Sequence, residues 1–389
     1  MDSTASGHLP RTKWGIAALF GLVGALVVSI VVMAFIWPAA ASEVHDLPVG
    51  IAGPDDQVTL VEDALAEQDP APFALQQVAT RDEAVSLIQT RKIYGAILLG
   101  DEPEVLIATA ASPVSANALR GVATQLQSRI DTGVNDALTA QLTAIMGALQ
   151  AGQVPQLPPS AGGGVPEVPT VTVTDLVPLA EGDATGAGLA ASVFPLVLGG
   201  MIGGILLSLI VQGVVRRLIG LVVFGAAAGA LIMLVMQTWF GILQGDWLLN
   251  ATVVGVGVMA TAAFIVAMTS LVGPPGIAIG AIVTMLIANP IAGAAAPPQF
   301  LPAPWGEVGQ YFVPGASATL LRSVAYFPEA ATLTQWLVLG AWLVGGVLLA
   351  LIGHFRTSAE IHPPARQLEK AEAPGEREAP AEPIVQTVA

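Results

Sequence analysis

The chain has 389 residues, 54% of them hydrophobic and only 11% charged, with a formal net charge of −15. A soluble globular protein carries about a quarter charged residues, so the composition excludes an ordinary soluble domain and points to the membrane. The acidic balance argues against a nucleic-acid surface, which needs a basic patch, and the absence of cysteine excludes disulfides, thiol catalysis and cysteine metal ligands.

Residues 1–13 read as a short cytoplasmic tail carrying Arg11 and Lys13. Residues 14–37 then form an apolar run bracketed by Trp14 and Trp37, as an interfacial aromatic belt predicts. At more than 20 residues the run is longer than a signal-peptide core, so it reads as an uncleaved anchor and first transmembrane helix.

Residues 38–185 read as an extracytoplasmic α/β domain with 19 acidic residues against 5 basic ones between Ala39 and Thr185. Strands are expected at Leu47–Ala52, Phe73–Val78, Tyr94–Leu99, Val105–Ala108 and Val171–Pro178, with helices at Val58–Glu67 and Arg81–Arg91. Thr80 and Glu83 have the spacing of a capping box. Strands alternating with helices imply a partly parallel sheet. From Ser112 to Leu149 an apolar residue recurs every three or four positions, which predicts one long helix with a single apolar stripe. The stripe must pack on the α/β unit, on a partner subunit or along a returning segment. A Pro/Gly-rich connection, Val154–Pro169, includes Gly162, Gly163 and Gly164.

Residues 186–353 form the apolar block. Spans are expected at Gly188–Gly213, Leu218–Leu243, Trp247–Val272 and Thr332–Ile352, with a short one at Ile277–Ile287 that ends on Asn289-Pro290. With the first helix this makes six transmembrane helices, and the insertion lies between helices 1 and 2. Residues 290–330 are too apolar for a free loop and too rich in proline for a span. They read as short helices dipping into the outer leaflet, including an amphipathic helix at Ala316–Tyr326. Glu307 and Arg322 would face outer water or each other. Residues 354–389 read as a disordered cytoplasmic tail. Placing basic residues inside gives one consistent topology in the plasma membrane: both termini cytoplasmic and the acidic domain outside.

Glycines four apart, Gly199/Gly203, Gly200/Gly204, Gly225/Gly229 and Gly276/Gly280, would let helices approach closely, within the chain or at a subunit interface. The clear spans hold no ionisable residue of the kind that marks a proton relay. His8, His45, His354 and His362 are too scattered for a metal site, and neither a P-loop nor a nucleophile elbow occurs. No catalytic residue, metal or cofactor is expected, and the chain is not expected to be an enzyme.

Several stretches resemble one family: LPVGIAGPDD, RDEAVSLIQTRKIYGAILL, VTDLVPLAEGDATG, FPLVLGGMIGG and NPIAGAAAPPQFLPAPWGEVGQYFVPGASATLLRSVAYF. Their order and spacing over about residues 14 to 353 resemble the ABC-2-type permeases, in particular the YhgE/Pip-like branch. The resemblance implies a permease acting as a homodimer or paralogous heterodimer, exporting a lipid-like or amphiphilic compound and driven by a separate cytoplasmic ATPase. It implies coupling through Val214–Leu218, with Arg216 and Arg217, and through Thr12–Gly15. Pro290, Glu307, Gly315 and Arg322 would belong to the outer gate or exit segment. The competing expectation is a receptor or envelope scaffold whose outer domain binds a partner.

Overall fold

A computed structural model describes residues 14–66, 71–152 and 168–361. The N-terminal tail, most of the Gly/Pro connection, the C-terminal tail beyond Ile361, His8 and His362 lie outside them; residues 354–361, expected to be disordered, instead continue the last helix. The first helix, α1, is Trp14–Ala40.

The inserted domain is a five-stranded mixed sheet in the order β2-β1-β3-β4-β5. Its strands are β1 (Leu47–Ala52), β2 (Phe73–Gln77), β3 (Gly95–Leu98), β4 (Glu104–Ile107) and β5 (Thr172–Asp175). β1 is parallel to β2 and β3, β3 is antiparallel to β4, and β4 is parallel to β5. The helices α2 (Asp55–Ala66) and α3 (Arg81–Gln89) are the parallel crossovers, as the alternating pattern requires. Leu47, Val49, Ile97, Val105 and Ile107 are fully withdrawn from solvent and fill the core with Leu119 and Phe73. Thr80 caps α3: the Glu83 amide donates to its hydroxyl at 3.2 Å. The returning bond runs from the Ala79 amide to the Glu83 carboxylate, one residue earlier than the standard box.

The long helix α4 (Pro113–Gln150) has 38 residues, about 57 Å at 1.5 Å per residue. Only its first part is buried, through Ala116, Leu119 and Ala123. Midway, Gln127 ties down the returning chain, donating to the Pro169 carbonyl and accepting from the Val171 amide. Of the three partners open to the stripe, the α/β unit takes the near end and the returning segment the middle. Leu142, Met146 and Leu149 stay exposed.

The block contains α5 (Ala187–Ile210), α6 (Val214–Met233, extended by a π-helical turn over Leu234–Trp239), α7 (Trp247–Val272), α8 (Pro275–Ala281, extended by a π-helix over Ile282–Ala288), α9 (Trp305–Gly309), α10 (Val313–Tyr326) and α11 (Leu333–Ile361). The protein is polytopic: α1, α5, α6, α7 and α11 are each long and apolar enough to cross a membrane. The sixth expected span is instead the shorter helix Pro275–Ala288, of 14 residues, about 21 Å. That falls short of a hydrocarbon core of about 30 Å. The first hairpin also shifts: Arg216 and Arg217 lie in the first turn of α6, and the turn itself is only residues 211–213.

α7 is the hub, with 72% of its window buried and α5, α6, α8, α10 and α11 all packed on it. Lipid tails are as apolar as leucine, so close packing of small residues must hold such a block together. Gly200 and Gly204 abut Val258, Thr261 and Ala262 of α7; Gly225 and Gly229 abut Gly255 and Ala251; Gly276 abuts Met268. These glycines serve contacts within the chain, whereas Gly199 faces open space.

Candidate functional site

The sheet domain meets the helix block where the end of α3 lies on α10. α3 closes with the Lys92 amide bonded to the Leu87 carbonyl and the Arg91 amide to the Ile88 carbonyl, a Schellman arrangement. That closure needs a left-handed residue, a place normally given to glycine. Here it is Arg91, at φ 58°. A side chain in this conformation costs roughly 1 to 2 kcal/mol, so the arginine is kept where its own backbone disfavours it.

The strained residue aims its guanidinium out of the domain. One Nη donates to the Ser323 hydroxyl at 2.6 Å and to the Thr319 carbonyl at 3.1 Å, both on α10. The same group lies over the Phe327 ring, 5.4 Å from its centroid, within range of a cation–π contact. Tyr94, three residues on, donates its hydroxyl to the Gln299 side chain at 3.3 Å. Burial holds the Arg91 pKa below its ordinary value, with Tyr94 acting in the opposite sense. Burial pushes the Tyr94 phenol up, against the pull of Arg91 and Arg322. Both side chains are partly buried in the seam where the domain meets α10.

Arg322 is the second cation of the seam. It is 8% exposed; one Nη donates to the Ala294 carbonyl at 2.9 Å, and its Nε has no hydrogen-bond partner. No carboxylate answers either arginine. Among the described residues the one ion pair is Arg81–Glu104, with Arg81 at the opposite end of α3 from Arg91. Glu307 is exposed and does not meet Arg322, so the expectation that the two face outer water or each other fails for Arg322 on both counts. The segment after Pro290 reaches Arg322 through the Ala294 carbonyl.

The remaining outer-segment residues have packing roles. Pro290 lies in the turn that follows the π-helix. Gly315 is buried in the first turn of α10, where a side chain would strike the Gly309 carbonyl. Gln310 bridges the layers, donating to the Ala292 carbonyl and accepting from the Thr319 hydroxyl at 2.6 Å.

The arginine pair at the other end of the block separates in role. Arg217 donates to the carbonyls of Val211 and Ser208, at the C-terminus of α5. Arg356 does the same for α7 at Leu271. Arg216 is exposed. Gly213, Arg217, Gly273 and His354 border one open cleft there.

Sequence reasoning missed Arg91, Tyr94 and the polar residues of α10. Two signals were present: a non-glycine residue just past a helix end, and a lone arginine in an apolar helix with no acid one turn away. A scan against family models and searches of curated proteins and of solved structures found no match to this chain. Among the described residues no group of three or more His, Cys, Asp or Glu is placed to hold a metal ion.

Proposed function

We propose that this chain is a permease-like subunit of an exporter, paired as a homodimer or with a paralogue, that moves a hydrophobic or amphiphilic envelope compound. It works as an ABC-2-type permease without catalytic chemistry of its own, using ATP hydrolysed by a separate cytoplasmic ABC ATPase. The observation that carries the reading is mechanical. The domain is bonded through Arg91 to α10, α10 packs on α7, and α7 touches every other spanning helix of the block. A push on the cleft at the far end of α7 would reach the domain without passing through a flexible joint. The helix count is six in this reading, with Pro275–Ala288 and the coil after it carrying the chain across. The basic residues Arg216, Arg217 and Arg356 lie at the end away from the domain, which supports a cytoplasmic far end and an extracytoplasmic domain.

The test is affinity purification of the tagged full chain from its native membrane. An ATPase should co-purify, and its turnover in lipid nanodiscs should rise when the chain is present. Recovery of the chain with no ATPase in any preparation sinks the proposal.

A second reading has its own observation. The outer half of α4 leaves Leu142, Met146 and Leu149 each about 60% exposed in an acidic domain. Such a stripe suits a receptor or scaffold that binds a protein partner. Deleting residues 45–180 would abolish all function in a scaffold and leave basal ATPase coupling in a pump.

A further inference from the structure

The seam between domain and block holds two guanidiniums and no acid. Each guanidinium carries five N–H donors in a planar fork, suited to oxyanions. Arg91 directs one nitrogen to α10, Arg322 directs one to Ala294, and the Arg322 Nε remains unused although it is shut off from solvent. Arg91 bonds to Ser323, the residue next to Arg322, so both guanidiniums serve the same stretch of α10. Withdrawing a charge from water without a counter-charge is among the costliest arrangements a fold can hold. Arg322 is held in that way, and Arg91, partly buried beside the same helix, spends backbone strain to be there. A structural latch needs neither: a glycine would close α3 more easily, and a glutamine could bridge to α10.

We infer that the seam is a binding site for a singly or doubly charged oxyanion, of the phosphate or phosphodiester type, clasped between Arg91 and Arg322. The anion supplies the missing counter-charge and takes up the free Nε. Its binding fixes the domain against α10, because one guanidinium comes from each. An exposed carboxylate, Glu329, stands on the border of the adjoining cleft formed by Gln89, Pro178, Tyr326 and Phe327, and it would favour approach from the Gln299 side. The inference concerns this site alone and stands whether the chain transports or docks.

The same chemistry could be brought by free phosphate or by the headgroup of an anionic lipid, and the experiment separates them. The full chain is placed in nanodiscs of phosphatidylcholine alone and titrated with inorganic phosphate. In parallel it is placed in nanodiscs of phosphatidylcholine containing phosphatidylglycerol. Thermal unfolding and hydrogen exchange of residues 313–327 are read in both. A rise in unfolding temperature with phosphate in the neutral discs assigns the free anion. A rise only with phosphatidylglycerol assigns the headgroup. In either case Arg322→Gln should weaken the effect by about tenfold or more, the size expected for a charge-assisted bond, and Arg322→Lys should retain part of it. Should Arg322→Gln fail to fold, Arg91→Gly decides: it removes the guanidinium while relieving the positive φ. Its α10 exchange should no longer respond to the anion. Equal responses in wild type and Arg91→Gly, or no response of the wild type to either probe, overturn the inference.

Discussion

Arg217 reaches back across its own hairpin to Ser208, donating to that carbonyl at 2.8 Å from the first turn of the next helix. A cation at the start of a helix opposes that helix's dipole. Arg217 reverses the penalty by serving the carbonyl end of α5, where positive charge is favoured. Arg216, one position earlier, has no such employment and faces outward. Arg217→Ala should therefore lower thermal stability in detergent by about 1 to 2 kcal/mol, while Arg216→Ala should leave it within about 0.5 kcal/mol. If an ATPase docks at this end, Arg216→Ala should instead reduce its stimulated turnover.

The glycines of α6 make a sharper contrast. A methyl group at Gly229 meets the Ala251 carbonyl and the Gly255 backbone, and nothing flexible can yield. Gly229→Ala should force α6 from α7 and cost about 1 to 3 kcal/mol. Gly199→Ala adds its methyl to open space and should be neutral for the monomer. A loss of cross-linked dimer in Gly199→Leu, with unfolding unchanged, would assign that face to a subunit contact.

Asn250 ties the end of the π-helical turn to α7. Its amide donates to the Gln237 side chain at 2.9 Å and to the Gln244 carbonyl at 2.7 Å. Asn250 itself is fully buried, so Asn250→Ala removes both bonds at a solvent-free position and should cost about 1 to 3 kcal/mol. Asn250→Asp should cost more, since a carboxylate cannot donate to either oxygen. Thermal unfolding of the two variants in one detergent checks the order.

The Arg81–Glu104 pair gives the domain a dependence on pH. Hydrogen bonding from Arg81, and then from Thr174, holds the Glu104 carboxyl below its ordinary 4.5. The pair's contribution is therefore complete above that ordinary value and fades as acid takes the pH down through the lowered one. Arg81 is half exposed, so the effect is small. The gap in unfolding temperature between wild type and Glu104→Gln should be present at neutral pH and close under acid.

The architecture was largely legible because periodicity reports packing. Alternation of strands with helical spacing placed β1 to β5 close to their observed bounds, and the 3.6-residue stripe announced α4. The last positions were not legible: a strand read as Val171–Pro178 keeps strand pairing with β4 over Thr172–Asp175, and Leu176 and Val177 continue with single bonds to Ile107 and Ala110. The short crossing at Pro275–Ala288 was visible as a short apolar run, but hydropathy says nothing of π-helical winding. The seam was the least legible part. Arg91 and Arg322 are 231 positions apart, by subtraction of their numbers. A local pattern cannot say that a helix end in one domain will lie on a helix of another. It could say only that each arginine was odd where it stood.

The sheet also sets a timetable for synthesis. β5 pairs with the edge of β4, yet all of α4 lies between them in the chain. While the ribosome is still extending α4, β4 presents unpaired amides and carbonyls to any neighbouring strand. The nascent domain therefore passes through an interval in which its edge is adhesive, and that interval closes only when Thr172–Asp175 arrive. Chains truncated before residue 172 should be caught by holdase chaperones or self-associate, and chains truncated shortly after Asp175 should not.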